Sequence, residues 1–551
     1  MRAIISVANH EELVPFAQEL AALHVTIYAS SNTARILTAA GIPIHSLAEI
    51  TGLPEAAHSP IELFHPAIYT AILAKHQEVD QWQQSSANGI AHIDIVISNL
   101  HPFQEDSSNR TTALADMISP FDAGHAALLR AAASNFTDVL VLTRPADYQP
   151  VLAELRATGG VSMTTRRRLA AVAFQHIATY DTQIATYLRS QDGDLFPEEM
   201  TLALHKVREL QHGENPHQSA VFYGWGRAGT PPTDASRGIA PPCDEELSKP
   251  LKAPQDQDVQ QNMPPTIAGA AILQGRELSF KDILDIDAAL NTVASFTSPT
   301  AVIINHTNPC GLACDDKLVE AYKRAHAGDP VAAYSGVVGF NRVVDKATAE
   351  EILPLFYECI IAPGYTPEAL AILRQDSRLR ILATCRPIGP YPLKARLDPC
   401  LLDMRRVSGG FLVQTPDYTD EQDISRHVVT ERQPTFEELT DLLFAWKAVK
   451  HVKSNAIVLA KKLAIVGVGA GQTNRLYSVQ IAVIRAGSRA RGSVLASDAY
   501  FPFPDGIEAA AKAGVTAIIQ PGGSNRDADI IRVANSYAIA MVYTGQRHFR
   551  H

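Results

Sequence analysis

The stretch AIISVANHEELVPFAQELAALHVTIYASSNTARILTAA, residues 3–40, decides the fold class of the first part of the chain. Two short apolar runs flank an amphipathic segment of helical periodicity, and a polar turn follows the second run. The predicted elements are strands at Ala3–Val7 and Val25–Ala29, helices at Glu11–Leu23 and Ala34–Ala40, the turn Ser30–Thr33, and a later buried strand at Ile93–Ile97. Strands separated by single helices indicate a doubly wound, parallel α/β sheet, in which ligands bind at the carboxyl ends of the strands.

The length and composition exclude several classes of protein. A chain of 551 residues is too long for one hydrophobic core, so two or more domains are expected. The net charge of -10 contains no block of like charges, which argues against a nucleic-acid or anionic-membrane partner. No apolar run reaches the length of a membrane span. Six cysteines in so long a chain predict no disulfide framework, and a cytoplasmic location is expected.

A change in composition marks residues 227–266, which are rich in Pro, Ser, Gly, Asp and Gln. This segment is predicted to be a Pro-rich loop or disordered insertion, because it holds few residues that could fill a core. After it the α/β alternation resumes. Strands are predicted at Ala301–Ile304, Val337–Phe340, Ile457–Leu459, Ala517–Ile519 and Ala538–Val542, and helices at Phe436–Lys453 and Gly506–Ala513. No internal repeat is visible in the sequence.

The segment NHTNPCG, residues 305–311, directly follows one of these predicted strands. A histidine at a strand end, beside Pro and Gly residues that break regular structure, is well placed for a cleft. The alternative, a histidine that only bonds to loop backbone, stays equally open at this point. Cys310 and Cys314 are separated by three residues, which is the wrong spacing for a C-x-x-C metal knuckle, so packing roles are predicted for them and no metal is expected.

Three later stretches are less specific. The glycine-rich segment Gly467–Gln472 lacks the spacing of a dinucleotide fingerprint, and it is predicted to be a tight turn, as is Pro521–Ser524. In Asp498–Asp505, aromatic residues are interleaved with prolines, so the segment must line a rigid, partly apolar surface. Asp505 then begins a helix, where a capping role is the commoner alternative to ligand binding.

Together these motifs resemble, in order along the chain, the bifunctional purine-biosynthesis family that formylates aminoimidazole carboxamide ribotide and then closes the second ring. The motifs that resemble its transformylase half are Gly213–Gln218, His306–Gly311, Arg405–Gly410, Lys453–Ala456, Gly469–Gln472, Asp498–Asp505, Ile519–Ser524 and Thr544–His551. The motifs that resemble its cyclohydrolase half are Ile5–Val7, Thr33–Ala34, Thr51–Gly52, Phe64–Pro66, Asn99–Leu100 and Leu128–Ala133.

The resemblance implies a methylglyoxal-synthase-like doubly wound sheet at residues 1–198 and a pair of cytidine-deaminase-like α/β units, without their zinc, at 199–551. It also implies a homodimer with shared active sites. The co-substrate would be 10-formyltetrahydrofolate, which donates its formyl group to a small-molecule amine acceptor.

In the cyclohydrolase half, the sequence departs from the family at charged positions. A lysine is replaced by His10, another lysine by Glu62, and a tyrosine by His101, whereas Thr33 and Asp122 are retained. Charge-assisted hydrogen bonds contribute about 1.5–3 kcal/mol each, so losing two or three around a phosphate would weaken binding by several powers of ten. We therefore expect a degenerate domain without ordinary inosine monophosphate cyclohydrolase activity.

In the transformylase half, the resemblance assigns the general base to His306 and the formyl-oxygen donor to Asn455, while Asn305 replaces a lysine and serves as a weaker donor. On the folate side it assigns Asp505, with Tyr500, Phe501 and Pro521 around it. On the acceptor side, the resemblance points to Gln211, His212, Asp282, Arg475 and Arg547, of which the first three differ from the family.

These departures favour a folate-dependent formyltransferase that acts on a specialised aminocarboxamide. Two alternatives stay open: the ordinary bifunctional enzyme of purine synthesis, and a noncatalytic paralogue that binds folate or a nucleotide.

Overall fold

A computed structural model of the chain describes residues 1–52, 63–75, 92–100, 123–225, 265–390, 401–417 and 426–551. These residues form two compact units. Unit 1 spans Met1–Leu204 and Trp225, and unit 2 comprises His205–Gly224 with the described residues from 265 to 551. The candidate residues His101 and Asp122, the substitution Glu62, and nearly all of the predicted insertion at 227–266 lie outside the described residues.

Unit 1 is a parallel sheet with helices on both faces. Its strands are β1 (Arg2–Ser6), β2 (Thr26–Ala29), β3 (His45–Ser46), β4 (Ile95–Ser98) and β5 (Leu140–Leu142). Its helices are α1 (Leu13–Ala22), α2 (Ser31–Ala39), α3 (Ala48–Thr51), α4 (Pro66–Leu73), α5 (Ala123–Ser134), α6 (Tyr148–Thr158) and α7 (Met163–Asp192). The order is β3-β2-β1-β4-β5, with all neighbours parallel. One buried cluster includes α1 and α6, and another includes α4 and α5, so the predicted doubly wound sheet is confirmed.

Unit 2 is built on a twelve-stranded mixed sheet. Its strands are β8 (Ala271–Gln274), β9 (Thr300–Asn305), β10 (Asn308–Cys314), β11 (Gly336–Phe340), β12 (Tyr357–Ala362), β13 (Arg380–Ala383), β16 (His427–Val428), β17 (Ile457–Lys461), β18 (Ala464–Gly469), β19 (Val494–Ser497), β20 (Ala517–Gln520) and β21 (Ala540–Tyr543). Two further ribbons pair β6 (Leu204–Glu209) with β7 (Val221–Trp225), and β14 (Asp403–Val407) with β15 (Gly410–Gln414).

Helices cover this sheet and connect its strands. They are α8 (Phe280–Ala294), α9 (Leu318–His326), α10 (Pro330–Ala333), α11 (Lys346–Ile352), α12 (Pro367–Leu373), α13 (Phe436–Val449), α14 (Arg475–Ala486), α15 (Asp505–Lys512) and α16 (Asp527–Ser536). The strongest boundaries are capping boxes, in which Ser279 and Asp282 start α8, and Thr435 and Glu438 start α13.

The twelve strands consist of two copies of one six-stranded arrangement, a repeat that is not visible in the sequence. From the centre outward, one half runs β10-β9-β11-β12-β13-β8 and the other runs β18-β17-β19-β20-β21-β16. Each half has the same succession of antiparallel and parallel pairs, and the two meet where β10 pairs antiparallel with β18. The predicted pair of α/β units is therefore confirmed as an internal duplication.

Close packing explains the glycines that the sequence analysis assigned to turns and breaks. Gly311 lies inside β10, just after a register shift at Pro309, and Gly467 and Gly469 lie inside β18. The tight turn predicted at Gly467–Gln472 is therefore wrong for its first three residues, whereas Gly471 has a φ of 66° after the strand ends. A Cβ atom on Gly311 would lie 2.0 Å from the carbonyl oxygen of Ala325, and one on Gly467 would lie 2.1 Å from that of Ala482. Both glycines therefore allow a helix to approach the sheet, at equivalent places in the two halves.

Gly311→Ala is expected to lower the free energy of unfolding of unit 2 by about 1–3 kcal/mol or more, because backbone must move to admit the methyl group. Urea unfolding of the full-length protein measures the effect. Gly389→Ala is the matched control, since a Cβ there meets nothing within 4 Å. Equal urea midpoints for the two variants would contradict the packing argument.

The described cysteines differ in state. Cys310, Cys314 and Cys359 have free thiols, and desolvation raises the pKa of Cys310 to about 12, as suits a packing residue. Cys385 is disulfide-bonded, a feature that the sequence analysis does not predict. Among the helices of the described residues, none combines the length and the apolar character of a membrane span.

Candidate active sites

His306 lies in a two-residue turn between β9 and β10, where Asn305 pairs with Asn308. Both turn residues adopt left-handed backbone, with φ of 51° at His306 and 61° at Thr307. Hairpins favour this geometry because it matches the strand twist, although Gly and Asn adopt it more readily than His or Thr. The side chain of His306 is exposed, so the turn projects an imidazole from the end of the sheet.

A buried carboxylate holds this turn. The backbone N–H of Thr307 donates to Oδ1 of Asp285 at 2.6 Å, and Lys281 Nζ lies 2.9 Å from the other oxygen. The second half repeats the device: Lys462 and Leu463 have φ of 54° and 58°, and both N–H groups donate to Asp441. Because the fold imposes the turn in both halves, the turn geometry alone does not account for a histidine at 306.

Asn455 lies two residues before β17, and its segment is joined to this turn by a bond between Asn308 and Lys453. Oδ1 of Asn308 accepts from the backbone N–H of Lys453 at 3.0 Å. The amide of Asn455 is fixed on both sides, since Nδ2 donates to the carbonyl of Gln472 at 2.8 Å and Oδ1 accepts from Arg475 at 2.8 Å. The contacts among the described residues use one of its two amide protons, so the group is oriented but keeps donor capacity.

Arg475 is a support for Asn455 rather than the predicted substrate contact. Its side chain is 5% exposed, and Nη1 lies 2.5 Å from Oδ1 of the fully buried Asp498. Nη1 also donates to Ser497 Oγ at 2.6 Å. The other oxygen of Asp498 accepts from Ser454 Oγ at 2.5 Å. One buried carboxylate therefore fixes groups on both sides of Asn455, and the guanidinium is committed inside the protein.

The first half of unit 2 has no such carboxylate at the equivalent place. Asn341 follows β11 as Asp498 follows β19, and its backbone N–H bonds to Thr300 as that of Asp498 bonds to Ala456. The amide of Asn341 bonds to backbone at Phe296, Ser298 and Thr300. At this position the second half therefore carries a charged pair where the first half carries an amide, and the pair is connected to the start of β10 through Ser454 and Lys453.

The end of the chain packs against the same place. The backbone of Arg550 makes two hydrogen bonds with Ser454. Its carbonyl accepts from the N–H of Ser454 at 2.9 Å, and its N–H donates to Ser454 Oγ at 3.1 Å. His548 is 2% exposed, and its N–H donates to the carbonyl of Asp498. Arg547 is exposed, with its guanidinium 4.9 Å from the ring centre of Phe549. Arg547 therefore remains a prediction for phosphate binding.

Several predicted ligand contacts have structural roles instead. Asp282 is buried in the capping box of α8 and lies 3.3 Å from Arg380, so it is not placed to bind substrate. Asn305 Nδ2 donates to the carbonyl of Ala332 at 2.9 Å, which uses one of its two amide protons, so its role as a donor to the substrate stays a prediction. Phe501 is 1% exposed and packs in the core, so it does not line a folate surface.

The remaining predicted residues of unit 2 stay predictions. Asp505 and Tyr500 are exposed on the segment that follows β19, and Pro521 is buried directly after β20. Gln211 bonds through its backbone to Leu278, and His212 Nδ1 lies 2.7 Å from the carbonyl of Gly213. No contact between described residues joins Gln211 or His212 to the His306 turn.

In unit 1, polar groups gather at the carboxyl ends of β1 and β4. The hydroxyl of Thr33, which is fully buried, accepts from the N–H of Val7 at 3.2 Å. Asn99 Oδ1 accepts from the N–H groups of Ala8 and Asn9 at 2.7 and 2.9 Å, which fixes the loop that leads to the exposed His10. This placement agrees with the general rule for ligand sites in parallel sheets.

Asp285 and His125 lie outside every stretch that the sequence singles out. Six further residues of the two sites lie within the quoted stretches but receive no individual role from the sequence: Asn308, Ser454, Asp498, Ser6, Ser30 and Asn99. The available signal was a polar residue directly after a buried strand, which applies to Asp498 and Asn99. Within the described residues, no group of three or more His, Cys, Asp or Glu side chains is arranged to hold a metal ion.

A parallel-sheet unit is followed by an internally duplicated α/β unit, and polar side chains lie at strand ends in both, which is the architecture of a two-unit α/β protein. Residues 132–238 and 253–485 match the family model described as AICARFT/IMPCHase bienzyme, and residues 12–126 match the MGS-like domain. The chain belongs to the AICARFT/IMPCHase bienzyme family.

Two relatives and one solved structure illustrate the similarity. The bifunctional purine biosynthesis protein PurH of Anoxybacillus flavithermus is 43% identical over 550 residues, which covers 100% of this chain and 99% of the relative. PurH of Bacillus subtilis is 42% identical over 550 residues with the same coverage. The solved structure titled "Crystal structure of ForH" is 29% identical, covers 34% of this chain and 97% of its own, and has a TM-score of 0.30.

Proposed function

We propose that this chain is a bifunctional enzyme that formylates aminoimidazole carboxamide ribotide in unit 2 and closes the formylated product to inosine monophosphate in unit 1. The observation that carries the proposal is identity of 43% over the whole chain with a bifunctional PurH protein, across both units. This favours the ordinary pair of reactions over the specialised acceptor and the degenerate cyclohydrolase, which rested on single substitutions.

In unit 2, the nitrogen of the acceptor amine attacks the formyl carbon of 10-formyltetrahydrofolate, and His306 takes a proton from that nitrogen. Asn455 donates to the formyl oxygen as negative charge develops there. The bond between the formyl carbon and N10 of the folate then breaks, and N10 is protonated. The exposed imidazole and the fixed amide, held together through Asn308 and Lys453, support this division of roles.

A noncatalytic paralogue is less well supported. A protein that only binds folate has no need of an amide oriented by a buried ion pair, and burying Arg475 with Asp498 has a desolvation cost. We also propose the homodimer. The ribbon β14–β15 is largely exposed, with Phe411 and Leu412 62% and 64% accessible, which suits a surface covered by a second copy.

Complementation tests the pair of activities together. The chain is expressed in a purine auxotroph that lacks both the formyl-transfer and the ring-closing steps. Growth without purine is expected for the wild-type chain and for the control His427→Ala, an exposed residue at the edge of the sheet, but not for His306→Ala. If the wild-type protein accumulates in folded form and growth still requires purine, the proposal of an ordinary bifunctional enzyme is wrong.

A further inference from the structure

A row of hydroxyl side chains crosses the carboxyl edge of the sheet in unit 1. Ser6 pairs with Ser98 on the neighbouring strand. Ile5 pairs with Ala29, so the next residues, Ser6 and Ser30, are neighbours. Ile97 pairs with Leu142, so Ser98 and Thr143 are neighbours in the same way. Side chains alternate along a strand, so these four share the face that α5 covers, the face of Ile4 and Val96. Packing of a hydrophobic core does not require hydroxyl side chains at these positions, which lie at the edge of the sheet where ligands usually bind.

The imidazole of His125, in the first turn of α5, bonds to this row. Its Nε2 lies 2.8 Å from Ser6 Oγ. Ser6 Oγ donates to Ser30 Oγ at 2.8 Å, and Ser30 Oγ donates to Thr33 Oγ1 at 3.4 Å. Because Ser6 gives its single proton to Ser30, it accepts from His125 in the tautomer that carries the proton on Nε2.

The end of this chain of bonds is a donor. Thr33 Oγ1 already accepts from Ser30 and from the N–H of Val7, so its own proton is directed away from both. Neighbouring Ser98 provides a second observation. It is fully buried, and its hydroxyl has no hydrogen-bond partner among the described residues. A buried hydroxyl of this kind calls for a partner that arrives with a ligand or with water.

We propose that His125 is a positioning residue of unit 1, which acts through Ser6 and Ser30 to present the hydroxyl of Thr33 as a donor to an anionic oxygen of a nucleotide. The inference rests on the proposed ring-closing function of this unit. His125 would strengthen the binding of an anion in this unit. The loop after β1 carries His10 in place of the family's lysine. The gain comes from orientation of neutral donors, since aligned hydroxyls polarise one another.

Three variants test this proposal: His125→Leu, which removes the donor, His125→Gln, which keeps an N–H at similar reach, and Ser6→Ala. Steady-state kinetics of ring closure with the formylated ribotide, and the Kd for inosine monophosphate by calorimetry, are measured on full-length protein. The His125→Leu variant is expected to have a KM for the formylated ribotide and a Kd for inosine monophosphate that are about tenfold higher, equivalent to about 1.4 kcal/mol. Its kcat is expected to change less than about threefold. Gln is expected to restore both constants to within about threefold.

Action through Ser6 predicts that the effects are not additive. The Kd of the double variant Ser6→Ala with His125→Leu for inosine monophosphate is expected to be no higher than the higher of the two single-variant values. Formyl transfer in unit 2 of each sample reports that the protein is folded. Unchanged binding in His125→Leu, additive losses, or a Gln variant as impaired as Leu in folded protein would each overturn the proposal. If the wild-type chain closes no ring, the proposed function of unit 1 is wrong, and the Kd values still decide the role of His125.

Discussion

Replacing His306 with alanine is expected to lower the kcat of formyl transfer by about 10²–10⁴-fold, the usual contribution of a general base. The imidazole projects from a turn that is held by the buried Asp285 through backbone, not through the side chain of residue 306. The substitution therefore removes the proton acceptor while its support remains. Release of tetrahydrofolate, with saturating 10-formyltetrahydrofolate and aminoimidazole carboxamide ribotide, measures the effect.

Two controls make this result specific. Ring closure of the formylated ribotide by the same sample is expected to be unchanged, because that reaction is assigned to unit 1. His427→Ala changes an exposed histidine of the same sheet and is expected to transfer formyl groups at the wild-type rate. A His306→Ala protein whose kcat stays within about threefold of the wild type would show that the imidazole is not the general base.

Arg475→Met is expected to have the largest combined effect on stability and activity. It leaves the carboxylate of Asp498 buried without its cation, and breaking a buried pair in this way costs about 3–5 kcal/mol. It also frees Asn455 Oδ1, so the amide that donates to the formyl oxygen loses its orientation. Loss of one such donor lowers kcat by about 10²–10³-fold.

The two consequences are separated by further variants. Asn455→Ala removes the donor but leaves the Arg475–Asp498 pair intact, so it is expected to lose activity with a smaller loss of stability. Arg532→Met is the matched control, because its side chain is 73% exposed. Urea midpoints and formyl transfer are measured for all three. An Arg475→Met protein with the urea midpoint and rate of Arg532→Met would contradict the supporting role of the buried pair.

The fold could be predicted from sequence wherever hydrophobic periodicity was strong. The strand predicted at Val25–Ala29 is Thr26–Ala29 in the structure, and the helix predicted at Gly506–Ala513 is Asp505–Lys512. The pair of α/β units in unit 2 could be predicted only through the family resemblance, because the two halves share strand order and helix caps rather than a visible sequence repeat. The strand positions of Gly311 and Gly467 could not be predicted, because a sequence does not show which helix approaches a glycine.

The site could be predicted by position but not by side-chain direction. His306 and Asn455 lie at strand ends, where a motif alone locates them. Arg475 and Asp282 are charged residues at helix starts, and a sequence gives no way to tell a buried ion pair or capping box from a ligand contact. Phe501 is aromatic in a proline-rich segment, and only the structure shows that it packs inward.

The charged substitutions that suggested a specialised enzyme take on a different meaning beside these contacts. Asn305 bonds to the backbone of Ala332, so it secures the end of β9 next to His306, the proposed general base. His10 lies on the loop after β1, which Asn99 fixes at Asn9. Neither change removes the oriented donors of its site, which is compatible with the ordinary pair of reactions.

One chain is expected to carry out both steps. Purified protein is mixed with 10-formyltetrahydrofolate and aminoimidazole carboxamide ribotide, and tetrahydrofolate and inosine monophosphate are measured together over time. The two products are expected to form in equal amounts, and both to be suppressed in His306→Ala, whose ring closure is restored when formylated ribotide is supplied. Formation of tetrahydrofolate without inosine monophosphate, or of neither product, would contradict the claim of a bifunctional enzyme.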